Sequence, residues 1–345
     1  MCSEKNERYR SLCGIICFYG LTTMMRTPKD ILPSFNHDPA LQLLQTARRR
    51  FEAETGTHEI YEYAVSAEQM QRVPLEVPLD DIPEYIGIKG GAARTVLALL
   101  IEHTAPLAPP RDIDLVVLGD SVDRQGCDAA VVEHTAQALA AHCSPRDAQY
   151  GYGAEYIGSI DDYMGAHDFT INQVLLTKER HEWLLYTTTQ AVIDMAQHII
   201  RPTYYEHNAH HHLGSKLALK AVRLLAELQT QGIAEARIEG LDLRHDVYGD
   251  PTDDYFMQAL QLDKALERGY PVAEQYVANL RRFGLAPDMP YDTVESLYQQ
   301  LVECVQFEPS IGARATLAYG LTQQDSEEVA QLMKQVPDRY ARDYV

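Results

Sequence analysis

Beyond residue 200 this chain of 345 residues carries no stretch that alternates apolar and polar side chains as a half-buried strand does. Five stretches there repeat apolar residues at helical spacing instead: Leu217 to Gln229, Asp254 to Arg268, Pro271 to Phe283, Val294 to Phe307 and Glu327 to Val336. Residues 84–200 read differently. Tyr85 to Ile88 predicts a short buried strand, Gly90-Gly91 a tight turn, Ala92 to Glu102 a helix, and Ile113 to Leu118 a second strand. A helix over Ala129 to His142 and a third strand over Glu155 to Ile160 follow. Asn172 to Thr177 and Glu182 to Tyr186 predict a hairpin around Lys178-Glu-Arg-His181, and a helix from about Thr189 to Gln197 closes the unit. The expected class is therefore α+β, with a small mixed-sheet head followed by an all-helical domain. The expected division is a helical N-terminal extension over 1–58, the head over 59–200, and a helical neck and tail over 201–345.

Within the extension, residues 39–54 read as an amphipathic helix opened by Pro39, with Arg48, Arg49 and Arg50 on a solvated face beside Glu52 and Glu54. Arg8 and Arg10 precede an apolar run from Leu12 to Leu21. That run is too short to cross a bilayer and Glu4 and Glu7 dilute its positive flank, so no targeting segment, no membrane partner and a cytoplasmic location are expected. Cys2, Cys13, Cys17, Cys127, Cys143 and Cys304 form no CxxC pair, which argues for reduced thiols rather than a zinc site.

Charge narrows the function. With 30 Lys+Arg against 50 Asp+Glu the formal charge is −20, which excludes a basic nucleic-acid module. Any polyanion must meet a local cluster of cations or bound metal. Residues 90–200 hold 6 basic and 15 acidic side chains, a balance suited to divalent cations.

The chemistry-bearing pattern lies in that stretch. Gly90-Gly91-Ala-Ala-Arg94 offers backbone N–H groups and the positive end of a helix to a phosphate. Asp112-Ile-Asp114 follows on the next predicted strand. Residues two apart on a strand share a face, so the two carboxylates would stand side by side and repel unless a cation such as Mg²⁺ sits between them. Taken singly, an Asp-x-Asp most often decorates a surface strand, and a Gly-Gly before a helix is equally common. Their conjunction on consecutive strands lifts the signal. His167-Asp168-Phe-Thr-Ile-Asn172 then follows the third strand.

In this order of motifs the chain resembles the polymerase-β nucleotidyltransferase superfamily, and within it the head domain of bacterial-type tRNA CCA-adding enzymes and poly(A) polymerases. The resemblance implies two-metal nucleotidyl transfer from a nucleoside triphosphate, with ATP the expected substrate, onto the 3′ end of an RNA such as tRNA. Asp112 and Asp114 would be the catalytic residues and the Mg²⁺ ligands. Gly90, Gly91 and Arg94 would cradle the triphosphate, and Asp168 would lie near the ribose with Asn172 supporting it. The resemblance extends to Leu217–Leu228, a neck helix in which Lys220 and Arg223, spaced i and i+3, would meet base or phosphate. The reading from residues alone is a plain amphipathic core helix. Where the family has two arginines before Asp-Phe-Thr-Ile-Asn, this chain has Ala166 and His167, and the family's Glu-Asp-x-x-Arg template element faces His212-Leu-Gly-Ser-Lys-Leu217.

Several alternatives stay open. Glu155, Asp161 and Asp162 compete for a third carboxylate. His207, His210, His211 and His212 read as a solvated cluster before they read as a metal site. Tyr150, Tyr152, Tyr204, Tyr205 and Trp183 read first as packing residues. The acceptor could instead be a protein or small molecule, and an inactive binding protein with the same fold is the third reading.

Overall fold

The computed structural model describes residues 48–52, 59–73, 82–102, 113–143, 154–203, 215–244 and 250–321. Seven strands among them form one mixed sheet in the order β1-β2-β7-β6-β3-β4-β5. These are β1 (Arg48–Glu52), β2 (Glu59–Val65), β3 (Ile86–Lys89), β4 (Asp114–Leu118), β5 (Glu155–Ile157), β6 (Val174–Glu179) and β7 (Glu182–Thr188). Every pairing is antiparallel except β4 with β5.

Alternation along the strands sorts the sheet's two faces. Ile86, Ile88, Ile113, Leu115 and Val117 enter one core together with Ala92, Ala93, Val96 and Leu97 of helix α2 (Gly90–Glu102). Val132 and Ala136 of α4 (Ala129–Cys143) and Ala191 and Val192 of α6 (Thr189–Ala196) complete that layer. Each fully buried Val, Leu or Ile there contributes about 1.5–3 kcal/mol relative to exposure. On the opposite face Val116, Leu118, Leu175 and Tyr186 pack with Ile160, Tyr163 and Met164 of the short helix α5 (Ile160–Gly165). Helices α1 (Ala67–Gln71) and α3 (Gly119–Gln125) fill connections. In the β6–β7 hairpin Arg180 and His181 both take positive φ, 49° and 68°, the twist that two-residue hairpin turns demand.

Helices α7 (Ser215–Thr230), α8 (Tyr255–Glu267), α9 (Tyr270–Phe283), α10 (Val294–Val305) and α11 (Ile311–Tyr319) form the helical half. They close around a core that includes Leu219, Val222, Leu262, Leu266, Tyr276, Leu280 and Leu297. The seam to the sheet half is also apolar: Phe169, Ile171 and Ile200 meet Leu217, Ala221, Leu224 and Leu225. Among the described residues no helix is long and apolar enough to cross a membrane.

The α+β class is what the structure has; several details differ from expectation. Residues 48–52, read as part of a helix, are strand β1, because pairing with β2 supplies backbone partners that local periodicity cannot show. The rest of 39–54 lies outside the described residues, as do Glu327 to Val336 and residues 207–212. Strand signal does not end at 200, since Arg237–Ile238 (β9) pairs in parallel with Ile199–Ile200 (β8). Strand β5 stops at Ile157, where Ser159 accepts a hydrogen bond from the Asp162 N–H and caps α5 instead. The expected Gly90-Gly91 turn is the first turn of α2 itself. Helix α11 was not anticipated from spacing.

Candidate active site

Strand β3 ends at Lys89 and helix α2 starts on the next residue, with Gly90 at φ +66°. Asp114 opens β4 directly opposite Lys89. A Cβ built on Gly90 would collide with Oδ2 of Asp114, so the carboxylate lies against the Gly90 backbone. Gly90 and Asp114, one residue from each motif, therefore lie together. Gly91 is different: among the described residues an added Cβ would meet nothing nearer than Nη2 of Arg94, at 3.8 Å. Gly90→Ala is expected to cost about 1–2 kcal/mol through positive φ and displacement of Asp114, whereas Gly91→Ala stays within about 0.5 kcal/mol. Denaturant midpoints of the two variants check this, and equal losses would contradict it.

Asp112 lies outside the described residues. Its neighbour Ile113 is buried and donates its N–H to the Cys143 carbonyl at 3.3 Å. Of the three candidates for a further carboxylate, the structure brings only Glu155 to Asp114. Glu155 pairs in register with Val116, which shares a face with Asp114, and its side chain forms an ion pair with Lys89. Burial works to raise the Glu155 carboxyl, but the Lys89 ammonium outweighs it and holds the group below its usual value. Asp162 instead accepts from the Ser159 hydroxyl at 2.8 Å. Asp161 lines a cleft at the other end of β4 with Asp120, Asp123 and Arg124.

Asp168 is held by a chain of polar contacts spanning both halves. Arg94 Nη1 donates to Asn172 Oδ1 at 2.5 Å, and Asn172 Nδ2 donates to Asp168 Oδ1 at 2.5 Å. Lys220 Nζ, from α7, donates to Asp168 Oδ2 at 2.5 Å and lies 5.7 Å from the centroid of the Phe169 ring. Burial would raise the Asp168 carboxyl; the Lys220 charge, with hydrogen bonds from Lys220 and Asn172, instead holds it well below the usual carboxylate range. Burial also lowers Arg94, against the pull of the Glu227 and Asp168 carboxylates. Arg223 turns away from this chain: Nε donates to Gln261 Oε1 at 2.8 Å and the guanidinium pairs with Glu227. Its residue is buried at 9% exposure. Lys220 and Arg223 thus share a helix but not a partner.

His167 completes the rim. Its Nδ1 lies 2.8 Å from the Tyr163 carbonyl, and its ring tilts against the Tyr163 ring at 4.1 Å between centroids. Beneath it Tyr163 is fully buried and donates its hydroxyl to the Val174 carbonyl at 3.0 Å. Burial pushes the imidazole down to about 4, so it is neutral at pH 7 and Nδ1 carries the proton it donates to Tyr163. A His with a depressed folded value stabilises the fold above its unfolded value near 6.5 and loses that contribution as pH falls toward 4. The wild-type chain is expected to lose about 1–2 kcal/mol from this residue by pH 5. Urea melts at pH 7 and pH 5 check it: His167→Gln should lack this part of the acid loss.

The donor set fits a hard divalent cation in kind, since Asp114 and Glu155 present carboxylate oxygens on adjacent strands of one face. Among the described residues there is no cluster of three or more His, Cys, Asp and Glu side chains placed to hold a metal. Lys89, Glu155 and His167 carry signals that sequence reasoning did not use as a set. Lys89 could have been found from parity, because it shares the Gly87 side of β3.

No family model matches this sequence, and no curated protein matches it. In overall structure the chain is similar to the CCA-adding enzyme of Thermotoga maritima complexed with tRNA, at 16% identity and a TM-score of 0.44, over 78% of this chain and 69% of that one. It is similar also to a CCA-adding enzyme in complex with ATP, at 16% identity and a TM-score of 0.40, over 76% of this chain and 63% of that one.

Proposed function

We propose that the chain is a metal-dependent nucleotidyltransferase that moves a nucleoside monophosphate from a nucleoside triphosphate to an acceptor hydroxyl, with an RNA 3′ end as the leading acceptor. The observation that carries this reading is the seating of Asp114 against the Gly90 backbone at the first turn of α2. It puts a carboxylate beside a helix N-terminus suited to phosphate. Lys89, Arg94 and Lys220 add cations from three elements to that neighbourhood, although the chain as a whole is at −20.

In this reading Asp114, with Asp112 expected beside it and Glu155 within the same face, would hold Mg²⁺. The metal, when bound, would neutralise charge on the α-phosphate and on the departing pyrophosphate. The protein's own groups do the rest. The α2 N-terminus and Arg94 hold the triphosphate, and Asp168, fixed by Lys220 and Asn172, offers its carboxylate to a sugar hydroxyl. Orientation by these fixed groups supplies the positioning on which phosphoryl transfer mostly depends.

A second reading keeps the chemistry and changes the acceptor to a protein or small molecule. Two observations favour it. The charge of −20 repels RNA at long range. Arg223, the neck-helix residue expected to meet base or phosphate, is 9% exposed and engaged by Gln261 and Glu227 instead. Incubation with each of four α-labelled triphosphates, Mg²⁺ and either total RNA or RNA-free extract tests both. Label on RNA supports the first reading and label on protein or small molecule the second. No label with any triphosphate would sink the activity.

A further inference from the structure

Lys89 sits where neither the sheet nor the turn into α2 needs a lysine. It ends β3 on the same side as Gly87, whose missing Cβ would touch Leu175 and Val116. Across the ladder its register partner is Asp114. Glu155 stands one strand further on, in β5, beside Val116. Strand order β3-β4-β5 then fixes the path of the side chain. To pair with Glu155 the Lys89 ammonium must cross β4 on the face that carries the Asp114 carboxylate.

Glu155 lies beside Val116, two residues along β4 from Asp114 and on the same face, so the two carboxylates project from adjacent strands of one face. The Lys89 ammonium brings one positive charge to these carboxylates, whereas a divalent cation brings two. Both cations need the same carboxylate oxygens, so they compete. The competition is winnable for a metal, because Lys89 and Glu155 have side chains 21% and 50% exposed, and ion pairs this open to water are weak. Once displaced, the ammonium is one residue from Gly90 and the α2 N-terminus.

The geometry points to Lys89 as an internal, displaceable cation. It holds Glu155 in the metal-free chain, gives up that carboxylate when a divalent cation enters beside Asp114, and turns its ammonium to the triphosphate at Gly90. No covalent bond changes in this exchange. The inference rests on the metal-and-triphosphate reading of the site, yet it makes a claim about metal affinity that the reading does not require.

Mn²⁺ binding to the full chain without nucleotide tests it, followed by calorimetry and by the electron paramagnetic resonance of free Mn²⁺. Lys89→Met and Lys89→Gln are each expected to bind Mn²⁺ about tenfold tighter than wild type, because a competing unit charge is gone. Adding Glu155→Gln to Lys89→Met should return affinity to the wild-type level or below. On the wild-type chain, acetylation of Lys89 followed by mass spectrometry should speed up at least twofold when Mn²⁺ is added, as the ammonium leaves Glu155. Unchanged or weaker Mn²⁺ binding in the lysine variants overturns the inference, as does no Mn²⁺ binding by any form at millimolar concentration. Should neither variant fold, the acetylation rate decides, and a rate that Mn²⁺ leaves unchanged overturns it. Tighter binding without any nucleotide transfer would support the exchange and reject the enzymatic reading, while transfer by wild type without tighter binding does the reverse.

Discussion

On the proposed activity, Asp114→Asn is expected to lower nucleotide incorporation by about 10³-fold or more while the melting temperature stays within a few degrees of wild type. The size follows from what the residue is asked to do: a carboxylate that holds a metal against a triphosphate acts on charge that develops in the transition state, and losing such a group costs several kcal/mol of barrier. Asn keeps the shape, so the side chain still packs against Gly90 without the collision a larger group would meet. The residue is only half-buried and sits at the first position of β4, where loss of one charge beside Glu155 places little strain on the sheet. Single-turnover incorporation with saturating triphosphate is the measurement. Transfer that survives within tenfold of wild type would remove Asp114 from the chemistry, and the proposed activity with it.

The second large effect is on stability. Asp168→Ala is expected to cost about 3–5 kcal/mol in urea or guanidinium unfolding, because it leaves Lys220 as a largely buried cation with no counter-charge. Three donors lose their acceptor together: Lys220 Nζ, Asn172 Nδ2 and the Phe169 N–H, the last at 3.0 Å. Lys220→Met in the Asp168→Ala background should recover more than half of the loss, since the stranded charge goes with it. The pH dependence has the sign of a depressed carboxyl. Its contribution is fully present above the unfolded value near 4 and disappears only as pH falls from there through the lower folded value. Acidification from pH 7 to 5 therefore leaves this pair untouched, and a loss there comes from other groups, His167 among them. A wild-type-like midpoint for Asp168→Ala would show the pair to be ornamental.

Much of this architecture was legible where the signal is local. Runs of Val, Ile and Leu bounded by Gly and Pro marked β3, β4 and the β6–β7 hairpin, and helical spacing marked α7 to α10 within a few residues. What failed was structure that depends on partners distant in sequence. Arg48–Glu52 has helical periodicity and a helix-opening Pro39 upstream, yet it becomes a strand because Tyr61 and Glu62 lie ready to pair with it. Helix α11 is short and rich in Ala, Gly and Thr, so it shows little periodicity; Ser310 at its cap was the readable cue. In the site, Asp114 beside Gly90 followed from the motif order. The Lys89–Glu155 and Lys220–Asp168 pairs did not, because they join residues 66 and 52 positions apart. Among Glu155, Asp161 and Asp162 only the register of β5 could choose. Arg223 shows the converse failure, since matching a pattern said nothing of Gln261 and Glu227, which engage it.

The bond between Lys220 and Asp168 also bears on how the protein can be dissected. A fragment that stops after Thr203 would keep the whole seven-stranded sheet, yet strand the acid at its rim without its ammonium partner and uncover Phe169 and Ile200 to water. Such an excised piece should be soluble only poorly and should unfold at lower denaturant than the whole chain. The first turns of α7 belong, in thermodynamic terms, to the sheet.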